Sequence, residues 1–168
     1  SNDVKSMQNP SRSYKNNSRD SVLEAATELF LINGFERTTM RNISKYSGKQ
    51  LGGIGYHFAS KQEILFTIMN ESFDNTFSSA KEALKKARST KGRLKAIISV
   101  ELNASLMGTG SLVLKEWEAL STEDKKALTR KMAPYEQQWI DILKQCKKEK
   151  IINSDPKITR KLLHLSLI

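Results

Sequence analysis

The sequence has few of the residues that redox, metal-dependent or disulfide-stabilised proteins need. Its 168 residues include one cysteine, Cys146, and two histidines far apart, His57 and His164, so neither an intrachain disulfide nor a metal-ligand spacing is present. Cys146 falls on an apolar helical stripe, where we expect a packing role. No apolar run approaches the roughly 18 residues of a membrane span, and the first 18 residues lack the hydrophobic stretch of a secretory signal. We therefore expect a cytoplasmic, non-enzymatic protein without a metal or cofactor.

Glycine is scarce except in one stretch, which does not match a nucleotide site. Four of the eight glycines lie within eight consecutive residues. A P-loop places Lys and Ser/Thr directly after its second glycine, but here Ile54 and Gly55 follow Gly53. The dinucleotide fingerprint also fails, because Phe58 stands at its third glycine and no strand pattern precedes it. These glycines need another explanation.

Positive charge is in excess, but its distribution along the sequence does not mark a binding site. The formal net charge of +10 suggests a polyanionic partner. Residues 1–60 carry eight Lys/Arg and five Asp/Glu, a net charge of +3, and the other 108 residues carry twenty and thirteen, a net charge of +7. The charge therefore permits nucleic-acid binding without locating it.

Apolar residues recur every three or four positions through almost the whole chain, which predicts an all-α protein. In the first 60 residues this spacing predicts three short helices, of which Gly34 and Gly48 end the first two. Thr38 or Thr39 can cap the second helix, and the stretch Ser60–Glu63 is a capping box that starts a long fourth helix. Further helices are predicted from about Arg93, after Met107, after Ser121 and after Asp155.

Three short helices joined by a tight glycine turn outline a helix-turn-helix unit. In that unit the second helix braces the third, which lies in the major groove of DNA. Gly48 would end the bracing helix. Gly52 and Gly53 would open the recognition helix, where bulky side chains would keep the backbone away from the phosphates. The glycine stretch is therefore interpreted as part of a DNA-reading surface.

The same region resembles the N-terminal domain of the TetR family of transcriptional regulators over about residues 20 to 66. The resemblance is carried by the stretch GFERTTMRNISKYSGKQLGGIGYHFASKQEIL, with agreement at Gly48, Gly52, His57, Phe58, Ser60, Lys61 and Leu65. The sequence departs from the family pattern at Lys49, Gln50 and Gly55. Residues 1–17, rich in Ser, Asn and Lys, are interpreted as a flexible arm. The resemblance implies a DNA-binding domain over 18–64 and a helical effector-binding and dimerisation domain over 65–168.

The resemblance also implies a set of DNA contacts. Gln50 and Leu51 would face base edges, and glutamine can pair with adenine through two hydrogen bonds. The remaining implied contacts, mostly with the DNA backbone, are Thr39, Arg41, Lys49, Gly53, Tyr56, His57 and Lys61. Three of these residues have a simpler alternative: His57 could be a packed core residue, Lys61 a solvated residue at a helix start, and Arg41 a partner of Glu36 or Glu28.

The second domain resembles a branch of the family that includes regulators of fatty-acid and sterol breakdown, whose members respond to acyl-CoA thioesters. The implied effector pocket is lined by Phe73, Phe77, Leu102, Leu106, Trp117, Tyr135 and Trp139, although these residues could equally be ordinary core. The basic segment Lys85–Lys95 could attract CoA phosphates or be a solvated loop. The implied homodimer would pair through Leu162, Leu163 and Leu165. Because the apolar pattern is unfinished at Ile168, we expect the last family helix to be missing.

The sequence thus predicts a ligand-responsive repressor that binds a palindromic operator as a dimer and is released by a small apolar effector such as an acyl-CoA or fatty acid. Two alternatives stay open. A non-enzymatic helical interaction protein would have no sequence-specific DNA affinity. A non-sequence-specific DNA binder would show strong salt dependence and little sequence preference.

Overall fold

The computed structural model describes residues 18–106 and 108–165. The arm predicted over residues 1–17 lies outside the described residues. Where the chain is described it contains helices and no strand, so the predicted all-α fold is confirmed. The helices are α1 Ser18–Asn33, α2 Met40–Ser47, α3 Leu51–His57, α4 Lys61–Lys86, α5 Thr90–Leu106, α6 Gly108–Glu116, α7 Thr122–Lys148 and α8 Pro156–Leu165, with a short 3-10 turn Trp117–Ala119 between α6 and α7.

Helix boundaries in the first domain are set by local chemistry. Gly34 and Gly48 adopt φ angles of +84° and +69°, a left-handed conformation that glycine reaches without steric cost, and they end α1 and α2. Ser60 accepts a hydrogen bond from the Glu63 amide, as the capping box predicts. The Glu63 carboxylate accepts from the Ala59 amide at 2.7 Å, whereas a capping box would use the amide of Ser60, the next residue. Two hydrogen bonds therefore fix the start of α4.

Two buried clusters divide the core, and α4 contributes to both. The first cluster joins α1, α2 and α3 to the first half of α4 and includes Phe30, Ile43 and Ile54. Leu112 of α6 and Leu128 of α7 belong to this same cluster, so the second domain packs directly against the first. The predicted boundary between residues 64 and 65 stays a prediction, and it falls inside α4.

The second cluster joins the far half of α4 to α5 and α7. It includes Ala80, Ile97, Trp139 and Cys146. Cys146 is fully buried, and burial raises the pKa of its thiol, which favours the unreactive protonated form. The packing role predicted for this cysteine is confirmed.

A buried ion network ties α8 to α5 and α7. The Arg160 guanidinium donates two hydrogen bonds to Glu101, at 2.6 and 2.7 Å, and two to Glu136, at 2.8 and 2.7 Å. It also lies 4.3 Å from the ring centroid of Trp139. Burial alone would lower the pKa of Arg160, but the hydrogen bonds and charges of Glu136 and Glu101 raise it above its ordinary value. Arg160 therefore stays charged and fixes the position of α8.

No single helix within residues 18–106 and 108–165 has the length and hydropathy to cross a membrane. Helix α5 and the segment Gly108–Ala119 meet both requirements when they are taken together, but they are bent by 76° relative to each other.

We expect Arg160→Met to lower the free energy of unfolding by about 3–5 kcal/mol, because it leaves the Glu101 carboxylate buried without its partner. Urea unfolding measures the loss. Lys125→Met is the matched control: it breaks an ion pair with Glu118, whose side chain is 88% exposed, and should cost less than about 1 kcal/mol. Equal losses in the two variants would contradict a stabilising role for the network.

Candidate nucleic-acid interface

Helix α3 is attached to the core by one face and leaves the rest open. Ile54 is its only buried residue, and Phe58, directly after the helix, is buried as well. The residues on the other side are exposed, including Leu51 at 44% and Tyr56 at 86%. Gln50 occupies the N-cap position, but its side chain makes no capping hydrogen bond. This amide is therefore available to a ligand in front of the helix.

The three glycines of α3 border open space. A Cβ atom added at Gly52, Gly53 or Gly55 would meet no heavy atom within 4 Å, and none of the three has a positive φ. Packing and backbone conformation within the protein therefore do not require glycine here. Three glycines in a seven-residue helix cost stability relative to alanine, roughly 1 kcal/mol each. Contacts and backbone angles within the described protein therefore give no reason for these three glycines.

Helix α2 begins beside this surface with a reciprocal cap. The Thr39 hydroxyl accepts a hydrogen bond from the Asn42 amide at 3.1 Å, and the Asn42 side chain accepts from the Thr39 amide at 2.9 Å. Asn42 was not predicted, although the Thr-x-x-Asn spacing resembles a capping box. Arg41 is exposed, and Glu28, one of its two suggested partners, instead accepts from the exposed Tyr46 hydroxyl at 2.5 Å.

Lys61 lies against the turn between α1 and α2. Its ammonium donates to the carbonyl oxygens of Phe35, at 2.8 Å, and Glu36, at 3.2 Å, and lies 4.3 Å from the Phe35 ring centroid. Sequence reasoning missed this role, because the two carbonyls are 25 and 26 residues away and no local pattern marks them. The predicted phosphate contact stays a prediction and would use the remaining N–H of the ammonium.

The other predicted contact residues lie at the edges of α3. The Lys49 side chain is half-buried, while its carbonyl accepts from the Ser44 hydroxyl at 2.5 Å. His57 is half-buried with its ring centroid 5.2 Å from that of Tyr56 and 6.3 Å from that of Phe58. The structure thus brings Lys49, Gln50, Leu51, Gly53, Tyr56 and His57 together on and around one short helix.

A cavity of about 80 Å³ lies between α4, α5, α6 and α7, with His164 of α8 at its wall. Of the predicted pocket residues, Phe73, Phe77 and Tyr135 line it, and the Phe77 ring lies 5.6 Å from the Tyr135 ring. The sequence did not predict Glu101 as a wall residue. Burial, followed by the Glu101 charge, raises the pKa of Tyr135 well above its ordinary value, so its hydroxyl remains a hydrogen-bond donor, 3.3 Å from Glu101.

The other four predicted pocket residues lie away from this cavity. Leu102 and Leu106 are exposed, Leu106 at 78%, because they fall on the solvent side of α5. Trp117 packs against the first core cluster, and Trp139 is buried in the second. A three- and four-residue spacing identifies a helix face but does not say which neighbour that face meets.

The predicted pairing surface on α8 is partly open. Leu162 is 61% exposed, whereas Leu163 packs against the second core cluster. The Leu165 side chain lies outside the described part of the structure. Ile158, one turn before Leu162, is also exposed and extends the apolar stripe.

Comparison with known proteins shows which families and structures this chain is similar to. The family model described as bacterial regulatory proteins, tetR family, matches residues 22–68. The transcriptional repressor KstR2 of Mycobacterium tuberculosis is 26% identical over 139 residues, which cover 77% of this chain and 66% of the repressor. The chain thus spans just under two thirds of the length of this relative.

Solved structures share the fold. The superantigen PfiT is 32% identical, with a TM-score of 0.78 over 95% of this chain and 84% of PfiT. AibR, solved in complex with isovaleryl coenzyme A and operator DNA, is 20% identical, with a TM-score of 0.77 over 88% of this chain and 82% of AibR. With a helix-turn-helix head that matches the family model and a fold that its relatives share, the chain belongs to the tetR family of bacterial regulatory proteins.

Proposed function

We propose that this chain is a ligand-responsive transcriptional repressor that binds a palindromic operator as a homodimer and is not an enzyme. We also propose that it acts in the cytoplasm. The observation that carries the proposal is the exposed face of α3, where a free Gln50 amide and three glycines border open space. KstR2, which is named a transcriptional repressor, supports the same assignment.

In the proposed complex, α3 enters the major groove with its N-terminus foremost. Gln50 would pair with adenine through two hydrogen bonds, and Leu51 would contact a thymine methyl group. The glycines would let the helix backbone approach the DNA closely. Phosphate contacts would come from residues in and around the helix, namely Thr39, Arg41, Lys49, Gly53, Tyr56, His57 and Lys61.

Reading a palindrome requires two copies. Recognition helices of the two subunits must lie about 34 Å apart to enter successive major grooves. We propose that the subunits pair through α8, where the exposed side chain of Leu162 supports an apolar contact and where Leu163 and Leu165 were predicted.

The effector cavity connects to the head through α6. Val113 and Leu114 line the cavity, and the next two residues bind the end of α1 and the turn after it. The Lys115 ammonium donates to the Leu31 carbonyl at 2.5 Å, and the Glu116 carboxylate accepts from the Phe35 amide at 3.1 Å. A ligand that displaces α6 would therefore pull on the head and change the spacing of the two recognition helices.

We propose that the effector places a short apolar group in the cavity. A volume of about 80 Å³ suits a short acyl chain better than a sterol or a long fatty acid, since pockets for drug-sized ligands exceed roughly 300 Å³. An acyl-CoA or fatty acid of short chain is the candidate effector, supported by AibR with isovaleryl coenzyme A.

We expect Gln50→Ala to change which DNA sequence is preferred, with a loss of about 1–3 kcal/mol of discrimination at one base pair of each half-site. Sequencing of duplexes selected by the protein from a random pool measures this. Gln62→Ala, an exposed glutamine in the first turn of α4, is the matched control and should leave the selected sequence unchanged. The proposal that Gln50 reads a base would be wrong if Gln50→Ala weakened binding equally on every DNA sequence, or if the wild-type protein selected no sequence.

We expect Lys61→Ala to weaken binding to all DNA sequences alike and to lower the free energy of unfolding by about 1–2 kcal/mol, because two hydrogen bonds to the α1–α2 turn are lost. The slope of log affinity against log salt distinguishes this role from a phosphate contact. Because we propose that Lys61 also contacts a phosphate, the slope should fall by about 0.9; an unchanged slope would contradict that contact and leave Lys61 with its hydrogen bonds to the turn alone. Lys45→Ala, at an exposed lysine of α2, should leave stability unchanged.

We expect Ser105→Phe to fill the cavity, so that isovaleryl coenzyme A no longer raises the melting temperature or releases DNA, while DNA binding without the probe persists. Ser105 lines the cavity, whereas Ser99 of the same helix is exposed and away from it, so Ser99→Phe is the matched control. Thermal shift and DNA release are measured together. An undiminished response in Ser105→Phe would show that the probe binds elsewhere.

A further inference from the structure

Folding collects the positive charge of this chain at one end of the second domain. Residues 81–96 and 144–150, which we call the distal basic pole, contain eleven Lys/Arg and two Asp/Glu, a net charge of +9. The described part of the DNA-binding head, residues 18–60, contains five Lys/Arg and four Asp/Glu, a net charge of +1. Most of the excess charge therefore lies outside the proposed operator-binding surface.

The distal basic pole is one continuous surface. Leu84 at the end of α4, Ile97 of α5 and Cys146 near the end of α7 pack in the same buried cluster. The Thr90 hydroxyl at the start of α5 donates to the Glu149 carboxylate at the end of α7. All eleven basic side chains of the pole are exposed, and within the described residues none of them forms an ion pair.

Helix stability does not account for this set of charges. Lysines in the last turns of α4 and α7 complement the negative helix ends, but Lys91 and Arg93 lie at the start of α5, where positive charge opposes the helix dipole. The first turn of α5 contains no acidic residue, and the one carboxylate described there is that of Glu149, which accepts from the Thr90 hydroxyl. Lys150 adopts a φ of +59°, a left-handed position at which glycine is favoured. Helix capping and helix dipoles therefore explain some of the basic residues of the pole but not Lys91, Arg93 or Lys150.

The pole faces away from the operator-binding surface. Helix α4 begins at the head and ends at the pole, and its 26 residues make it about 39 Å long. A duplex held by α3 therefore cannot also contact the pole. We propose that the distal basic pole binds a second segment of duplex DNA through its phosphates without reading sequence, so that the repressor can bridge two segments; the bridging rests on the proposed function of the head.

The composition of the pole favours DNA over an anionic membrane. Interfacial membrane binding combines basic residues with inserted aromatic or aliphatic side chains. The large exposed apolar residues of the described chain lie outside the pole, and the nearest to it in sequence, Ile151, is only 38% exposed. Lysine and arginine without such partners provide the charge that phosphate binding needs.

The test replaces Lys85, Lys91, Arg93 and Lys147 with glutamine in the intact chain. Binding to a fluorescent duplex of random sequence is followed by anisotropy over a series of salt concentrations. If all four side chains contact phosphates, the salt slope should fall by about 3.6, and affinity at low salt should fall at least about tenfold. The melting temperature should change little, because the relief at Lys91 and Arg93 is offset by the loss of the favourable charges of Lys85 and Lys147 at the ends of α4 and α7.

Two variants serve as controls. Exchanging lysine for arginine, and arginine for lysine, at the same four positions keeps the charge and should preserve affinity within about twofold. Glutamine at Lys126, Arg130, Lys157 and Lys161 removes the same charge from exposed positions elsewhere and should leave most of the affinity. Equal losses in the two glutamine variants would overturn the proposal, because net charge alone would then explain the binding.

The outcome is separable from that of the operator proposal. If random-duplex binding depended on the distal basic pole but the protein selected no operator, operator reading by α3 would be refuted and DNA binding by the pole would be supported. If the protein selected an operator but the four glutamine substitutions left random-duplex binding unchanged, operator reading would be supported and DNA binding by the pole refuted. Binding of coenzyme A or of phosphatidylglycerol vesicles, but not of random duplex, through the four residues would overturn the assignment to DNA.

Discussion

The turn between α1 and α2 is held from two sides, and the orientation of the head depends on this contact. From α4, Lys61 donates to the carbonyls of Phe35 and Glu36; from α6, Glu116 accepts from the Phe35 amide. Gly34 makes the turn possible, because its left-handed conformation lets the chain reverse directly after α1. The head shares its buried core cluster with α4, α6 and α7, and the hydrogen bonds from α4 and α6 add to this packing in fixing its orientation. A movement of α4 or α6 would therefore move the recognition helix.

The second domain has a buried ion network on one side and a small cavity on another. In the network, Arg160 links α5, α7 and α8 through Glu101 and Glu136, and breaking such a buried network is costly. At the cavity, α6 contributes Val113 and Leu114 to the wall and carries the residues that hold the turn. A cavity wall that is also the attachment of the head is a direct route by which occupancy could change the geometry of DNA binding.

Local signals in the sequence predicted much of this fold, because helix ends depend on residues within one turn. The caps at Ser60, Ser121 and Asp155 and the left-handed glycines follow from that chemistry. What the sequence could not predict depends on contacts between distant residues. Lys61 meets carbonyls 25 and 26 residues away, and Glu101 meets Arg160 59 residues later. For the same reason the sequence did not show that Leu102 and Leu106, which the resemblance implied as pocket residues, lie on the solvent side of α5.

The central claim is that the open face of α3 reads duplex DNA. Amide chemical shifts recorded while a selected operator duplex is titrated into the protein test it most directly. The account predicts that the largest changes fall on residues 50–57 and at the start of α2. It would be contradicted if these amides stayed unchanged while signals from other helices moved.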